Sequence, residues 1–130
     1  MKNSFNPFIF AAAIALSACG DKTTTDDTSG ESATDETVHT VTTSDSSMDF
    51  TPKDLTIAVG DTVEFIMTAT HNAIEVSQET YENIGIDALE GGFAVGYGET
   101  QRVTFSEAGT HYYVCQPHVT LDMVGTITVE

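Results

Sequence analysis

The sequence predicts an all-β domain, a sandwich or barrel of short strands, over residues 38–130. Short runs of alternating apolar and polar residues recur between turn signals. No stretch carries the spacing and caps of a long amphipathic helix. The 93 residues of this region are enough to close one compact core.

The runs follow in order. Val38–Val41 opens the series. Leu55, Ile57 and Val59 alternate with small or polar residues up to a turn at Gly60-Asp61. Val63, Phe65 and Met67 alternate with Thr62, Glu64 and Ile66. Val103 and Phe105 alternate with Arg102 and Thr104 ahead of a turn at Glu107-Ala108-Gly109. Tyr112-Tyr113-Val114 comes next, and Ile127 and Val129 close the chain between threonines. Residues 79–92 break the pattern, with Gly85, Gly91 and Gly92 and a short helix expected near Tyr81–Leu89. Met48 and Met67 are expected in the core. Of Tyr112 and Tyr113, one ring is expected in the core and one at the surface. His39 and His111 are expected to face solvent.

The chain divides into three parts. Residues 1–18 read as a secretory signal: Lys2, a nine-residue apolar run from Phe8 to Leu16, then Ser17 and Ala18. The run is too short to span a bilayer as a mature helix. Residues 19–37 hold Cys19 and an acidic, Thr/Ser-rich linker. From Gly20 to Thr37 its apolar content is one alanine. Such a segment buries too little surface to offset its ordering entropy, so it is expected to be a flexible tether. Its 18 residues would span roughly 20–25 Å on average and about 60 Å fully stretched. Residues 38–130 form the folded head.

The formal net charge is −16. Removing residues 1–18 leaves three basic residues against 20 acidic ones, a charge of −17. That excludes nucleic acid as a partner, since phosphate binding needs clustered Lys and Arg. It favours basic partners and steers them at low salt, although charge runs also serve plain solubility.

The chemistry concentrates in Cys115-Gln116-Pro117-His118-Val119-Thr120-Leu121-Asp122-Met123, directly after a strand. A thiolate, an imidazole and a thioether fall within nine residues. A second imidazole, His71, follows the Val63–Met67 strand. Two imidazoles with soft sulfur ligands suit copper. A trigonal His₂Cys set with a weak axial Met is the ligand set of blue-copper electron-transfer sites. Zinc also fits a His₂Cys set, because affinity alone does not select the metal. A disulfide between Cys19 and Cys115 is rejected, since each cysteine has another use.

Two resemblances sharpen this reading. Leu16-Ser17-Ala18-Cys19 resembles the lipobox of bacterial lipoproteins, which implies cleavage before Cys19 and a diacylglycerol on its thiol. An ordinary signal peptide is the other reading. The stretch Gly109–His118, with Met123-Val-Gly-Thr-Ile-Thr-Val129 and His71-Asn72, resembles the cupredoxins, most closely the plastocyanin and pseudoazurin branch. Phe50-Thr51-Pro52 and Val59–Val63 extend the likeness across roughly residues 48–130. The resemblance implies a Greek-key β-sandwich of seven to eight strands and one type 1 copper held by His71, Cys115, His118 and Met123. It implies that Asn72 hydrogen-bonds to the Cys115 loop. It also implies that His118 reaches the surface through an apolar patch, for which Ala73, Pro117, Val119 and Leu121 are the candidates. One departure matters: plant plastocyanins carry tyrosine directly before the cysteine, whereas Val114 stands here, with Tyr113 expected on the opposite sheet face.

The function implied is single-electron transfer between redox proteins, without catalytic residues or substrate turnover. Copper storage or delivery is the alternative. A copper enzyme would need a second centre or an open coordination position. Expected partners are redox proteins such as c-type cytochromes or membrane oxidoreductases, met by a monomer. The expected location is the cell envelope, with the head in the periplasm or on the outer surface and membrane attachment through the lipid alone.

Overall fold

The computed structural model describes residues 36–130. The expected signal segment, Cys19 and most of the linker lie outside the described residues.

Among the described residues, eight strands form two sheets. They are β1 (Val38–Thr42), β2 (Asp54–Ile57), β3 (Thr62–Ile66), β4 (Ala73–Val76), β5 (Ala94–Val95), β6 (Thr100–Thr104), β7 (Gly109–Val114) and β8 (Val124–Val129). One sheet has the order β1-β3-β6 and the other β2-β8-β7-β4-β5. β1 runs parallel to β3, and β2 parallel to β8; the remaining pairs are antiparallel. The architecture is a Greek-key β-sandwich, as expected.

Alternation explains most of the strands. In β3 the inward residues Val63 and Phe65 are fully buried, while Ile66 is exposed. Between the sheets lie Phe50, Phe65, Phe93, Tyr113, Met123 and Ile127, among others. Removing each large apolar side chain from water contributes about 1.5–3 kcal/mol. Tyr113 is the hub, with ring centroids of Phe50, Phe65 and Phe93 at 4.8, 5.6 and 5.9 Å. Its ring lies over Gly125, the residue directly opposite on β8, where an added Cβ would collide with the phenol. Tyr113 and Val114 do point to opposite faces. Val114 joins Val76, Val119 and Val124 in a second apolar cluster on the outer face, where Tyr112 packs against Tyr81 at 5.0 Å.

Two strands escape the alternating pattern, and three expectations need correction. β4 and β5 carry no alternation: β4 is buried at Ala73, Glu75 and Val76 alike, and β5 is two residues long. The short helix is α1, Gln78–Glu82, earlier than expected. The Ser77 hydroxyl caps its start by accepting from the Thr80 amide, and Ile84 at φ 55 and Gly85 follow its end. Met48 is 38 % exposed and lies outside the core, whereas Met67 is buried in it. His39 and His111 are half-buried and paired with carboxylates: His39 Nε2 with Asp61 at 2.8 Å, and His111 Nδ1 with Glu75 at 2.6 Å.

Candidate metal centre

β7 and β8 form a hairpin whose connection, 115–123, holds Cys115, His118 and Met123. The Cys115 amide donates to the Met123 carbonyl at 3.0 Å and closes the neck of the loop. Inside it, Gln116–Leu121 makes a 3-10 turn with Pro117 in its first positions. Proline suits that place because the amide it lacks has no helical partner there. The His118 amide donates to the Cys115 carbonyl, and the Met123 amide to the His118 carbonyl. Asp122, at φ 63, turns the chain into β8.

His71 comes from the β3–β4 connection, where its amide donates to the Thr68 carbonyl at 3.1 Å. The side chain is fully buried. Its Nε2 lies 3.1 Å from the Ser44 carbonyl, which can only accept. Nε2 therefore carries the proton, and Nδ1 presents its lone pair inward.

Three donor atoms converge. His71 Nδ1 lies 3.1 Å from His118 Nδ1, and Cys115 Sγ lies 3.7 and 3.5 Å from the two nitrogens. A point equidistant from all three is about 2.0 Å from each, the length of a metal–imidazole bond. The donor set thus fits a metal ion by chemistry and by spacing. Met123 is fully buried at the end of the same loop. Burial pushes the Cys115 thiol above its ordinary pKa, while backbone hydrogen bonds from Asn72 and His118 act in the opposite direction, favouring the thiolate.

Asn72 joins the two ligand segments. Its Nδ2 donates to Gln116 Oε1 at 3.0 Å, and its Oδ1 accepts from the Gln116 amide at 2.9 Å. Gln116 in turn donates through Nε2 to the Ile86 carbonyl at 3.0 Å. Gln116 is a functional residue that sequence reasoning missed.

Comparison with known proteins settles the family. Residues 36–130 match the model for copper binding proteins of the plastocyanin/azurin family. The chain belongs to this family. It is 40 % identical over 84 residues to plastocyanin of Prochlorothrix hollandica, an alignment covering 62 % of this chain and 63 % of that protein. It is 30 % identical over 89 residues to plastocyanin A/B of Petroselinum crispum, covering 66 % and 92 %. The chain spans less than two thirds of the length of the first of these relatives. Among solved structures it resembles a pseudoazurin from Sinorhizobium meliloti (TM-score 0.55, 27 % identity, covering 72 % and 73 %). It also resembles a reduced amicyanin variant (TM-score 0.52, 32 % identity, covering 72 % and 82 %). As a cupredoxin with this donor set, the protein takes one type 1 copper.

The surface beside this cupredoxin's His118 differs from the expected patch. Ala73 and Val119 are buried. Pro117 and Leu121, which is 61 % exposed, remain outside. Ile86, 50 % exposed, joins that surface through its bond to Gln116.

Proposed function

We propose that this cupredoxin carries single electrons between redox proteins outside the cytoplasm. In this reading His71 Nδ1, Cys115 Sγ, His118 Nδ1 and the Met123 thioether are the copper ligands, and Asn72 and Pro117 support them. The observation that carries the reading is the convergence of two imidazole nitrogens and one thiol on a single metal-sized space. When bound, copper supplies a one-electron Cu(I)/Cu(II) couple in a site poised between the preferences of the two states.

The chain's residues do the rest. Ser44 fixes the His71 ring, and Asn72 with Gln116 fixes the two loops to each other, so the donors keep their places when charge changes. His118 is half-buried and gives electrons a short way out. Pro117, Leu121 and Ile86 surround that exit with apolar surface, against which a partner can exclude water.

Charge supports basic partners. Residues 36–130 hold Lys53 and Arg102 against 15 acidic residues. Both cations are already paired, Lys53 with Asp122 at 2.7 Å and Arg102 with Glu64 at 2.9 Å. We propose c-type cytochromes or membrane oxidoreductases as the partner class, and a lipid on Cys19 as the attachment to the cell envelope. Expression of a Cys19→Ala variant should move the protein from the membrane fraction to the soluble one.

The central test adds Cu(II) to the apoprotein. Wild type should turn intensely blue, and Cys115→Ser should stay colourless. Voltammetry of the loaded protein should give a reversible one-electron wave with fast self-exchange. A colourless wild type would overturn the site. Rapid loss of copper to an acceptor protein would favour storage or delivery.

A further inference from the structure

The β4 and β7 strands that lead to the copper ligands carry a second cluster farther along. Glu75 on β4 lies four residues beyond His71, and His111 on β7 lies four residues before Cys115. At strand rise that is about 13 Å from the copper centre. Glu75 is 7 % exposed, an unusual place for a carboxylate inside a sandwich. Both of its oxygens are used: Oε2 accepts from the Phe93 amide at 2.9 Å, and Oε1 lies 2.6 Å from His111 Nδ1. Gly92 lets the chain come this close, since a Cβ there would lie 2.9 Å from both Glu75 Cβ and Oε2.

A carboxylate accepts, so His111 Nδ1 holds a proton, and in the neutral ring this leaves the lone pair on Nε2. The ring is further fixed by Phe105, centroid to centroid at 4.7 Å. Nε2 has no hydrogen-bond partner among the described residues. The pair opens onto a cleft of about 300 Å³, whose wall also includes Ser106 and the exposed Glu107. Glu107 forms no ion pair among the described residues. An imidazole whose far nitrogen is held by a buried carboxylate is the usual arrangement of a metal-ligating histidine. The strongly acidic chain raises the local cation concentration besides.

We propose that this cleft binds a divalent transition-metal ion of the zinc type through His111 Nε2 and the Glu107 carboxylate, separately from the copper centre. Imidazole and carboxylate with remaining water positions suit Zn²⁺, whereas the sulfur-rich centre suits copper. Glu75 is a positioning residue, acting through the His111 ring.

Calorimetric titration of the copper-loaded protein with ZnCl₂ tests this, with the blue absorption followed in parallel. One equivalent of Zn²⁺ should bind with the blue colour unchanged. His111→Ala should keep the colour and lose the binding at least tenfold. Glu75→Gln should weaken binding by about 10–100-fold, and Glu107→Gln should weaken it without touching the fold. The Cys115→Ser variant should bind Zn²⁺ at His111 as well as wild type does. That arm keeps the proposal testable whatever the fate of the copper assignment. No zinc uptake, equal uptake by His111→Ala, or uptake that tracks loss of the blue colour would overturn it.

Discussion

Asn72 and Gln116 grip each other through both a side-chain pair and a side-chain-to-backbone bond, at 3.0 and 2.9 Å, across 44 residues of sequence. Asn72 is 3 % exposed, so neither bond exchanges freely with water. One segment carries His71 and the other Cys115. The amide pair therefore sets the distance between two groups that must meet the same metal ion.

Asn72→Ala should loosen that grip at two levels. The stranded Gln116 amide costs about 1–3 kcal/mol of stability, or roughly 4–8 °C of melting temperature per kcal/mol in a domain of this size. Copper affinity should fall by about 10–100-fold, as for other groups that orient ligands. Thermal melts of the apoprotein and competition with a copper chelator separate the two effects. If the melt drops and copper retention does not change, the pair supports the fold alone.

Tyr113→Phe should stabilise the protein. The Tyr113 hydroxyl is buried with no hydrogen-bond partner among the described residues, and burial pushes its pKa far above the usual phenol range. An unmet buried polar group costs about 1–3 kcal/mol. Phenylalanine keeps the contacts to Phe50, Phe65 and Phe93 and removes that cost. The melting temperature should rise by several degrees. A fall would show that the hydroxyl has a partner in solution.

Gly125→Ala should destabilise strongly, by more than about 2 kcal/mol, because overpacking a filled core displaces backbone or ring. The added methyl would run into Tyr113 Cζ and the hydroxyl oxygen. Combining it with Tyr113→Leu should recover part of the loss. A double-mutant cycle by denaturant unfolding measures that coupling; simple additivity would mean the two residues do not share the space.

Such pairs also mark where sequence stops being readable. β1, β3, β7 and β8 show themselves because one face of each strand meets the core and the other meets water or polar groups. β4 does not, since Val76 is buried outward beneath Tyr81 and Val114, while Glu75 occupies an inward place that apolar patterning reserves for hydrophobics. The helix expected near Tyr81–Leu89 starts three residues earlier, at Gln78, because Ser77 caps it there, and Ile84, Ile86 and Leu89 lie beyond its end, all three exposed. The copper donors are legible because their types, order and spacing sit largely in one loop. A support of these donors comes from afar, Ser44 reaching His71 across 27 residues, and so does the Glu75–His111 pair of the second cluster, across 36. Only the closed sandwich brings those groups together.

Asp61 gives the fold a measurable acid limb. Its carboxylate accepts from His39 Nε2 at 2.8 Å, from the Ala58 amide at 3.1 Å and from the Thr37 amide at 3.4 Å. It thereby ties the start of β1 to the turn before β3. The His39 bond first, then the Ala58 amide, hold its pKa below the ordinary aspartate value of 3.8. A depressed carboxylate pKa means that the unfolded chain takes up protons more readily than the folded one. The stabilisation is therefore fully present above the unfolded pKa and is lost as pH falls through the folded value. Asp61→Asn should lower the melting temperature at neutral pH, and the gap from wild type should narrow as pH drops from about 5 to below 4. Melts of both proteins across that range decide the matter. A gap that stays constant with pH would mean that Asp61 acts through shape and neutral hydrogen bonds, with no contribution from its charge.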